Sequence, residues 1–182
     1  MPLKTIVKAS AITNLSDARY CAGMGVDFLG FQVSPGHPDY IPLDLYRDIR
    51  GWVTGPKFVA EIPDGDIIDT DTLIADYAPD FLELDVTSYM LLKKTPALPI
   101  ILRVDQSNIA TVDWSIVAYA VIDDLRVEHG VANKILVRIQ DGTLIPSILE
   151  KGLGIEIRGS QEVRPGYKDF TSLADILEQL DE

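Results

Sequence analysis

Residues able to do chemistry recur at one spacing in this chain: two polar side chains, two positions apart, inside an apolar run. Lys8 and Ser10 stand so in T-I-V-K-A-S-A-I-T-N, Glu83 and Asp85 in F-L-E-L-D-V, Arg103 and Asp105 in I-I-L-R-V-D, Arg138 and Gln140 in I-L-V-R-I-Q, and Glu156 and Arg158 in I-E-I-R. On a strand, that separation puts both members on one face and their apolar neighbours on the other. Asp123 closes a further apolar run, Trp114–Ile122. Buried charges need partners, and the acids Glu83, Asp85, Asp123 and Glu156 can match Lys8, Arg103, Arg138 and Arg158. Two arrangements stay open. In one, the groups line a polar pocket for an anionic or polyhydroxylated small molecule, with arginines holding carboxylate or phosphate by two-point contacts. In the other, they pair among themselves and fill the space a site would occupy.

Other chemistries have less behind them. Ser10 as a nucleophile needs a base within reach. The two histidines are His37, in a Pro- and Gly-rich loop, and His129, in an expected helix, and neither ends a strand. Glu83, Asp85 and Asp123 carry the oxygen ligands magnesium prefers, but paired or solvated carboxylates are the simpler reading, and no metal is expected. Cys21 is the one cysteine, so no internal disulfide or zinc cluster forms. It is expected as a buried helix residue. No cofactor is expected either: K-A-S-A-I-T lacks the glycine-rich turn of a dinucleotide site.

These pairs must be positioned by strands, and the chain supplies eight. They are expected at Lys4–Ala9, Phe28–Val33, Lys57–Ile62, Phe81–Val86, Ile100–Asp105, Trp114–Ile122, Ile135–Gln140 and Ile155–Arg158. Helical stretches alternate with them. Asn14 or Ser16 caps the first, which runs to the Gly23-Met24-Gly25 stop. Pro42–Trp52 is the second; Asp71–Tyr77, capped by Asp69 or Thr70, the third; Ser88–Lys94 the fourth. Asn108–Asp113 is ambiguous, Leu125–Asn133 a sixth helix, and Leu144–Lys151 a seventh with Pro146 in its first turn. Gly159–Lys168 reads as a loop, and Leu173–Leu180 as a last amphipathic helix with a capping box at Ser172 and Asp175. Eight units in 182 residues leave about 23 each, short for a fold of roughly 250. The expectation is therefore a single α/β domain over 1–182, a (β/α)8 TIM barrel with shortened or missing helices. A doubly wound open sheet is the alternative.

Composition narrows the partners. Net charge is −12, from 28 acidic and 16 basic residues, which disfavours nucleic acid. No apolar run reaches the ~20 residues of a membrane span, and the first residues lack a signal-peptide pattern. No membrane partner is expected, and the cytoplasm is the expected compartment.

At this point the residues resemble phosphoribosylanthranilate isomerase, a barrel enzyme of tryptophan biosynthesis. Lys8-Ala9-Ser10-Ala11-Ile12-Thr13-Asn14 is similar to the family's opening K-I-C-G-I-T-N/R. Ala22-Gly23-Met24-Gly25-Val26-Asp27, Leu29-Gly30-Phe31 and the loop Ser34-Pro35 with Pro38-Asp39-Tyr40 continue it. Phe81-Leu82-Glu83-Leu84-Asp85 resembles V-V-Q-L-H, and Gly154–Glu162 followed by Pro165-Gly166-Tyr167-Lys168-Asp169 resembles G-V-D-V-S-S-G-V-E and P-G-x-K-D. The resemblance implies the eight-stranded barrel and an Amadori rearrangement, run by a cysteine base on strand one and an aspartate acid on strand six. Here those positions hold Ser10 and Asp123. Asp39 stands where an arginine would meet substrate, and Asp85 replaces a histidine. The implied phosphate seat falls on Arg138-Ile139 and Arg158-Gly159-Ser160, with Gly159 and Ser160 as its core, and the glycine run after strand six is missing. A serine hydroxyl is too weak an acid to replace a thiolate without an activator. The expected protein is thus a divergent member with isomerase activity absent or very weak. Two alternatives remain: a working isomerase using Asp123 as acid, and a non-catalytic binding or interaction protein, monomer or homodimer.

Overall fold

A computed structural model describes residues 3–65, 69–125, 132–159, 162–164, 167–168 and 171–181. Eight parallel strands close on themselves in chain order: β1 (Val7–Ser10), β2 (Phe28–Gln32), β3 (Lys57–Glu61), β4 (Phe81–Asp85), β5 (Ile100–Arg103), β6 (Val117–Ile122), β7 (Ile135–Arg138) and β8 (Gly154–Arg158). The ring is closed by β1 against β8, with Lys8 opposite Glu156 and Ser10 opposite Arg158. This is the (β/α)8 barrel expected from the repeat, and it excludes the open sheet.

The helices are short for the reason the spacing implied. Those described are α1 (Leu15–Gly23), α2 (Leu43–Trp52), α3 (Thr70–Tyr77), α4 (Val86–Met90), α5 (Ile145–Glu150) and α6 (Thr171–Leu180). Asn14 caps α1, accepting from the Asp17 N–H at 3.0 Å, which decides between Asn14 and Ser16. Asp69 caps α3 in the same way. The fourth helix starts two residues earlier than expected and ends at Met90, because Asp85 at the end of β4 caps it at once. Asn108–Asp113 contributes only a 3-10 turn at Ile109–Thr111, and most of the helix expected at Leu125–Asn133 lies outside the described residues. Gly159–Lys168 is not all loop: β9 (Glu162–Arg164) and β10 (Tyr167–Lys168) pair antiparallel. The last helix begins at Thr171, so Ser172 sits inside its first turn rather than at its cap. Its buried Leu173, Ile176, Leu177 and Leu180 follow the 3–4 spacing of one face. Its end meets the chain start, where the Lys4 N–H donates to the Leu180 carbonyl at 2.8 Å.

Strand alternation builds two cores. Outward residues such as Ala9, Leu29, Phe31, Leu82, Leu102 and Ile155 pack beneath the helices, joined by Cys21, which is buried as expected. Burial pushes the Cys21 thiol up to about 12, so it is an inert packing group. Inward residues stack in layers up the barrel axis. At the bottom Phe28 meets Phe81 and Tyr119 edge-on, each pair of centroids 5.2 Å apart. Val59, Ile101, Val121 and Leu136 lie above this aromatic floor. The upper layers are ionic, and the room for them comes from Gly30. A Cβ there would lie 1.9 Å from Glu61 Oε1 and 3.1 Å from Lys8 Nζ. Substituting Gly30→Ala is expected to split the Lys8–Glu61 pair and to lower the unfolding free energy by roughly 3 kcal/mol, read as a fall in the urea midpoint at unchanged slope.

Candidate functional site

Lys8 rises from β1 into the barrel axis and is fully buried. Its Nζ lies 2.6 Å from Glu61 Oε1, 2.7 Å from Glu83 Oε2 and 2.8 Å from Glu156 Oε2. The Glu61 and Glu156 contacts are hydrogen bonds; the Glu83 contact is an ion pair without hydrogen-bond angles. Burial pulls the Lys8 ammonium toward deprotonation, but the three carboxylates, Glu156 foremost, outweigh it and hold its pKa far above the usual lysine range. Burial pushes the Glu61 carboxyl up, against the pull of Lys8. Burial also resists ionisation of Glu83, yet Lys8 and Arg103 together keep it below the usual carboxylate range.

One lysine cannot neutralise three carboxylates, and the arginines one layer higher complete the balance. Arg103 on β5 donates through Nη1 to Glu83 Oε1 at 3.0 Å, through Nε and Nη2 to Asp64 Oδ1 at 3.0 and 2.8 Å, and through Nη2 to the Ile62 carbonyl. Arg138 on β7 donates through Nε to Glu156 Oε1 at 2.6 Å and through Nη1 to Asp123 Oδ1 at 3.1 Å. At the rim Arg158 pairs with Asp39 from the β2–α2 loop. Lys8, Glu83, Arg103, Arg138 and Glu156 therefore all point inward, as strand alternation required, and they join in one paired network.

The sequence-derived candidates fall at distinct places around it. Ser10 Oγ donates to the Ile157 carbonyl at 3.2 Å. Asp123 stands on the rim with its side chain 73% exposed, tied to Arg138. The two line adjoining parts of the mouth. Ser10 lines a cleft of about 390 Å³ with Gln32, His37 and Asp39, whereas Asp123 lines another of about 540 Å³ with Asp85 and Asn108. Asp64, Arg103 and Arg138 are common to both. Asp85 is occupied as the α4 cap: it accepts from the N–H groups of Thr87, Ser88 and Gly65 and from the Ser88 hydroxyl. Its burial opposes ionisation, but those donors win and hold it below the usual carboxylate range. Asp105 and Gln140 lie beyond the ends of β5 and β7 and are exposed, so they are not interior partners of Arg103 and Arg138. Asp105 instead accepts from Ser107 and Asn108 in its own turn. The Glu83, Asp85 and Asp123 trio is dispersed among these roles, and among the described residues no three His, Cys, Asp or Glu side chains converge to hold a metal ion. Gly159 gives its N–H to the Ser10 carbonyl at 2.8 Å, so that donor is spent on the sheet. Ser160 and His129 lie outside the described residues.

Sequence reasoning missed Glu61, the second strongest partner of Lys8 by charge. Its signal was present: Lys57, Val59 and Glu61 alternate on β3, and Glu61 pairs in register with Glu83. It also missed Asp64, whose place beside Arg103 depends on how β3 and β5 are spaced around the ring.

No family model and no curated protein matches the chain. Solved structures do. The phosphoribosylanthranilate isomerase of Thermotoga maritima superposes with a TM-score of 0.72 at 16% identity, over 97% of this chain and 98% of that one. The enzyme of Thermus thermophilus gives 0.71 at 17%, over 97% and 98%. An isomerase in complex with reduced 1-(o-carboxyphenylamino)-1-deoxyribulose 5-phosphate gives 0.71 at 15%, over 96% and 97%. The fold is the phosphoribosylanthranilate isomerase barrel.

Within that barrel, three residues that differ from the motifs quoted above, Ala11, Asp39 and Arg158, have visible consequences. Ala11 holds the place of a glycine and adopts φ 52°, left-handed backbone that costs a non-glycine residue about 1–2 kcal/mol. Its N–H is gripped by Glu61 Oε2 at 3.0 Å, so the ion cluster pins the strained turn. Asp39 in place of an arginine and Arg158 in place of a serine form a matched pair, which crosses the mouth between the two strands flanking β1.

Lys8 gives two linked expectations. Lys8→Met leaves Glu61 without a cation and takes one from Glu83 and Glu156, and is expected to cost about 3–5 kcal/mol at pH 7. The Lys8 pKa is raised on folding, so its stabilisation is complete below the ordinary value of 10.5 and is lost as pH climbs beyond it. Urea titrations from pH 7 to 11 are expected to show that alkaline loss in the natural chain and a shallower one in Lys8→Met.

Proposed function

We propose that this protein is a divergent barrel of the phosphoribosylanthranilate isomerase type in which the aldose–ketose rearrangement is absent or very weak, and that its mouth serves to bind rather than to isomerise. The observation that carries the reading is the position of Ser10. An Amadori rearrangement needs a base to take a proton from carbon and an acid to open the sugar ring. At the base position stands a hydroxyl whose hydrogen bond goes to a backbone carbonyl, with no titratable partner among the described residues to activate it. The two acids that the sequence offered as substitutes are committed elsewhere. Asp85 is saturated by four donors, and Asp123 sits on the exposed rim with its charge on Arg138. The anion side of such a substrate is equally poorly served, because each arginine at the mouth already has a carboxylate.

A working isomerase with Asp123 as its acid is the competing reading, and one assay separates the two. The purified chain is expected to consume phosphoribosylanthranilate no faster than buffer, and Asp123→Asn to leave that background unchanged. Turnover above buffer that disappears in Asp123→Asn would establish the isomerase instead.

A further inference from the structure

The paired charges leave a question about the space above them. The cleft at the mouth is about 390 Å³, within the range of small-molecule sites. Ala11 and Pro63 are its apolar lining, and the rest is polar. Every cation in that lining is already matched: Arg103 by Glu83 and Asp64, Arg138 by Glu156 and Asp123, Arg158 by Asp39. An ionic ligand would have to share these guanidinium groups with carboxylates that already hold them, two of which, Glu83 and Glu156, are buried.

The uncharged polar groups of the same cleft are in the opposite condition. Gln32, at the end of β2, is 7% exposed, and its Oε1 has no hydrogen-bond partner. A buried amide oxygen without a partner destabilises the fold. The last torsion of a glutamine is broad and two-fold, so a half-turn exchanges the amide oxygen and nitrogen, and Gln32, which lines the cleft, can present either of them there. Ser10 spends its O–H on Ile157 and keeps its lone pairs. His37 accepts the Asp39 N–H at Nδ1, at 3.1 Å, which in the neutral ring places the proton on Nε2 as a donor. The cleft thus offers acceptors and donors without free charge. A hydroxyl both donates and accepts, so it satisfies the Gln32 amide in either orientation.

We propose that this cleft binds an uncharged, hydroxyl-rich small molecule, with the Gln32 amide as its central contact and Ser10 and His37 flanking it. The inference rests on the reading that the mouth binds rather than isomerises. It also makes Gln32 a functional residue that adds nothing to folding. Gln32→Leu removes the unpartnered amide and leaves an apolar side chain one atom shorter.

The test is a set of amide NMR titrations of the full chain with xylitol, sorbitol and myo-inositol, and with inorganic phosphate at matched ionic strength. At least one polyol is expected to shift the Gln32 side-chain amide and the Ser10 and Ala11 backbone amides saturably. Gln32→Leu is expected to weaken that binding at least tenfold, with a melting temperature unchanged or raised. The proposal is overturned if no polyol gives a saturable shift, if Gln32→Leu binds as the natural chain does, or if phosphate saturates the same resonances more tightly than every polyol. Failure here with no isomerase turnover removes the ligand class alone. Turnover that depends on Asp123 removes the reading beneath it.

Discussion

A single ammonium group in the middle of the barrel sets the terms for everything above it. Lys8 is sealed from water, and an unpaired charge in that position would not be tolerated. Three glutamates from three other strands, β3, β4 and β8, meet it within 2.8 Å. That leaves an excess of negative charge, which Arg103 and Arg138 cancel from β5 and β7. Five of the remaining seven strands are thereby tied to β1 or to one of its partners by charge, over an aromatic floor that holds the lower half by packing. A network of this kind adds little net stability compared with a well-packed apolar core, but it tolerates the loss of any one member poorly. Its geometry is demanding enough to dictate distant residues. Gly30 has no side chain because the Lys8–Glu61 pair fills the space one would take, and Ala11 keeps a left-handed backbone that Glu61 holds in place.

The same network limits the chemistry at the mouth. Proton transfer near neutral pH needs a group whose charge can change there. Lys8 is held in its charged form, and Glu83 and Asp85 in theirs, each by several partners at once. The open capacity of the cleft therefore lies with an amide, a hydroxyl and an imidazole rather than with a carboxylate.

The fold was legible because period-two alternation bounded by proline and glycine marks strands directly. β2, β3, β4, β5 and β6 each begin or end where Asp, Gly or Pro interrupts an apolar run. The interior pairs were legible for the same reason, and they point inward. What alternation could not supply was reach around the ring. Arg103 and Asp64 are 39 residues apart and meet because the turn after β3 and the end of β5 both reach over the top of β4, which lies between them. Glu61 was passed over because it stands alone beside Pro63-Asp64-Gly65, where a single acid looks like part of the turn. Asp85 had the opposite difficulty. Its two-residue spacing from Glu83 marked it as interior, while D-V-T-S also carries the acceptor-then-amide pattern of a helix cap, and the cap prevailed because α4 starts at the next residue.

The exchange at the rim shows how local charge, rather than fold, decides what such a barrel can hold. Asp39 and Arg158 together restore neutrality to a mouth that either alone would unbalance, and their pairing draws the β2–α2 loop across the end of β1. Around the mouth and its core, four cations, Lys8, Arg103, Arg138 and Arg158, stand against six carboxylates, Glu61, Glu83, Glu156, Asp39, Asp64 and Asp123. A doubly charged anion approaching it therefore meets net negative potential, on a chain already at −12. A neutral ligand meets no such barrier, and it loses little on leaving water if hydroxyl hydrogen bonds are replaced one for one. The barrel shared with the isomerases is thus compatible with a different occupant, and the arrangement of its charges favours one that carries none.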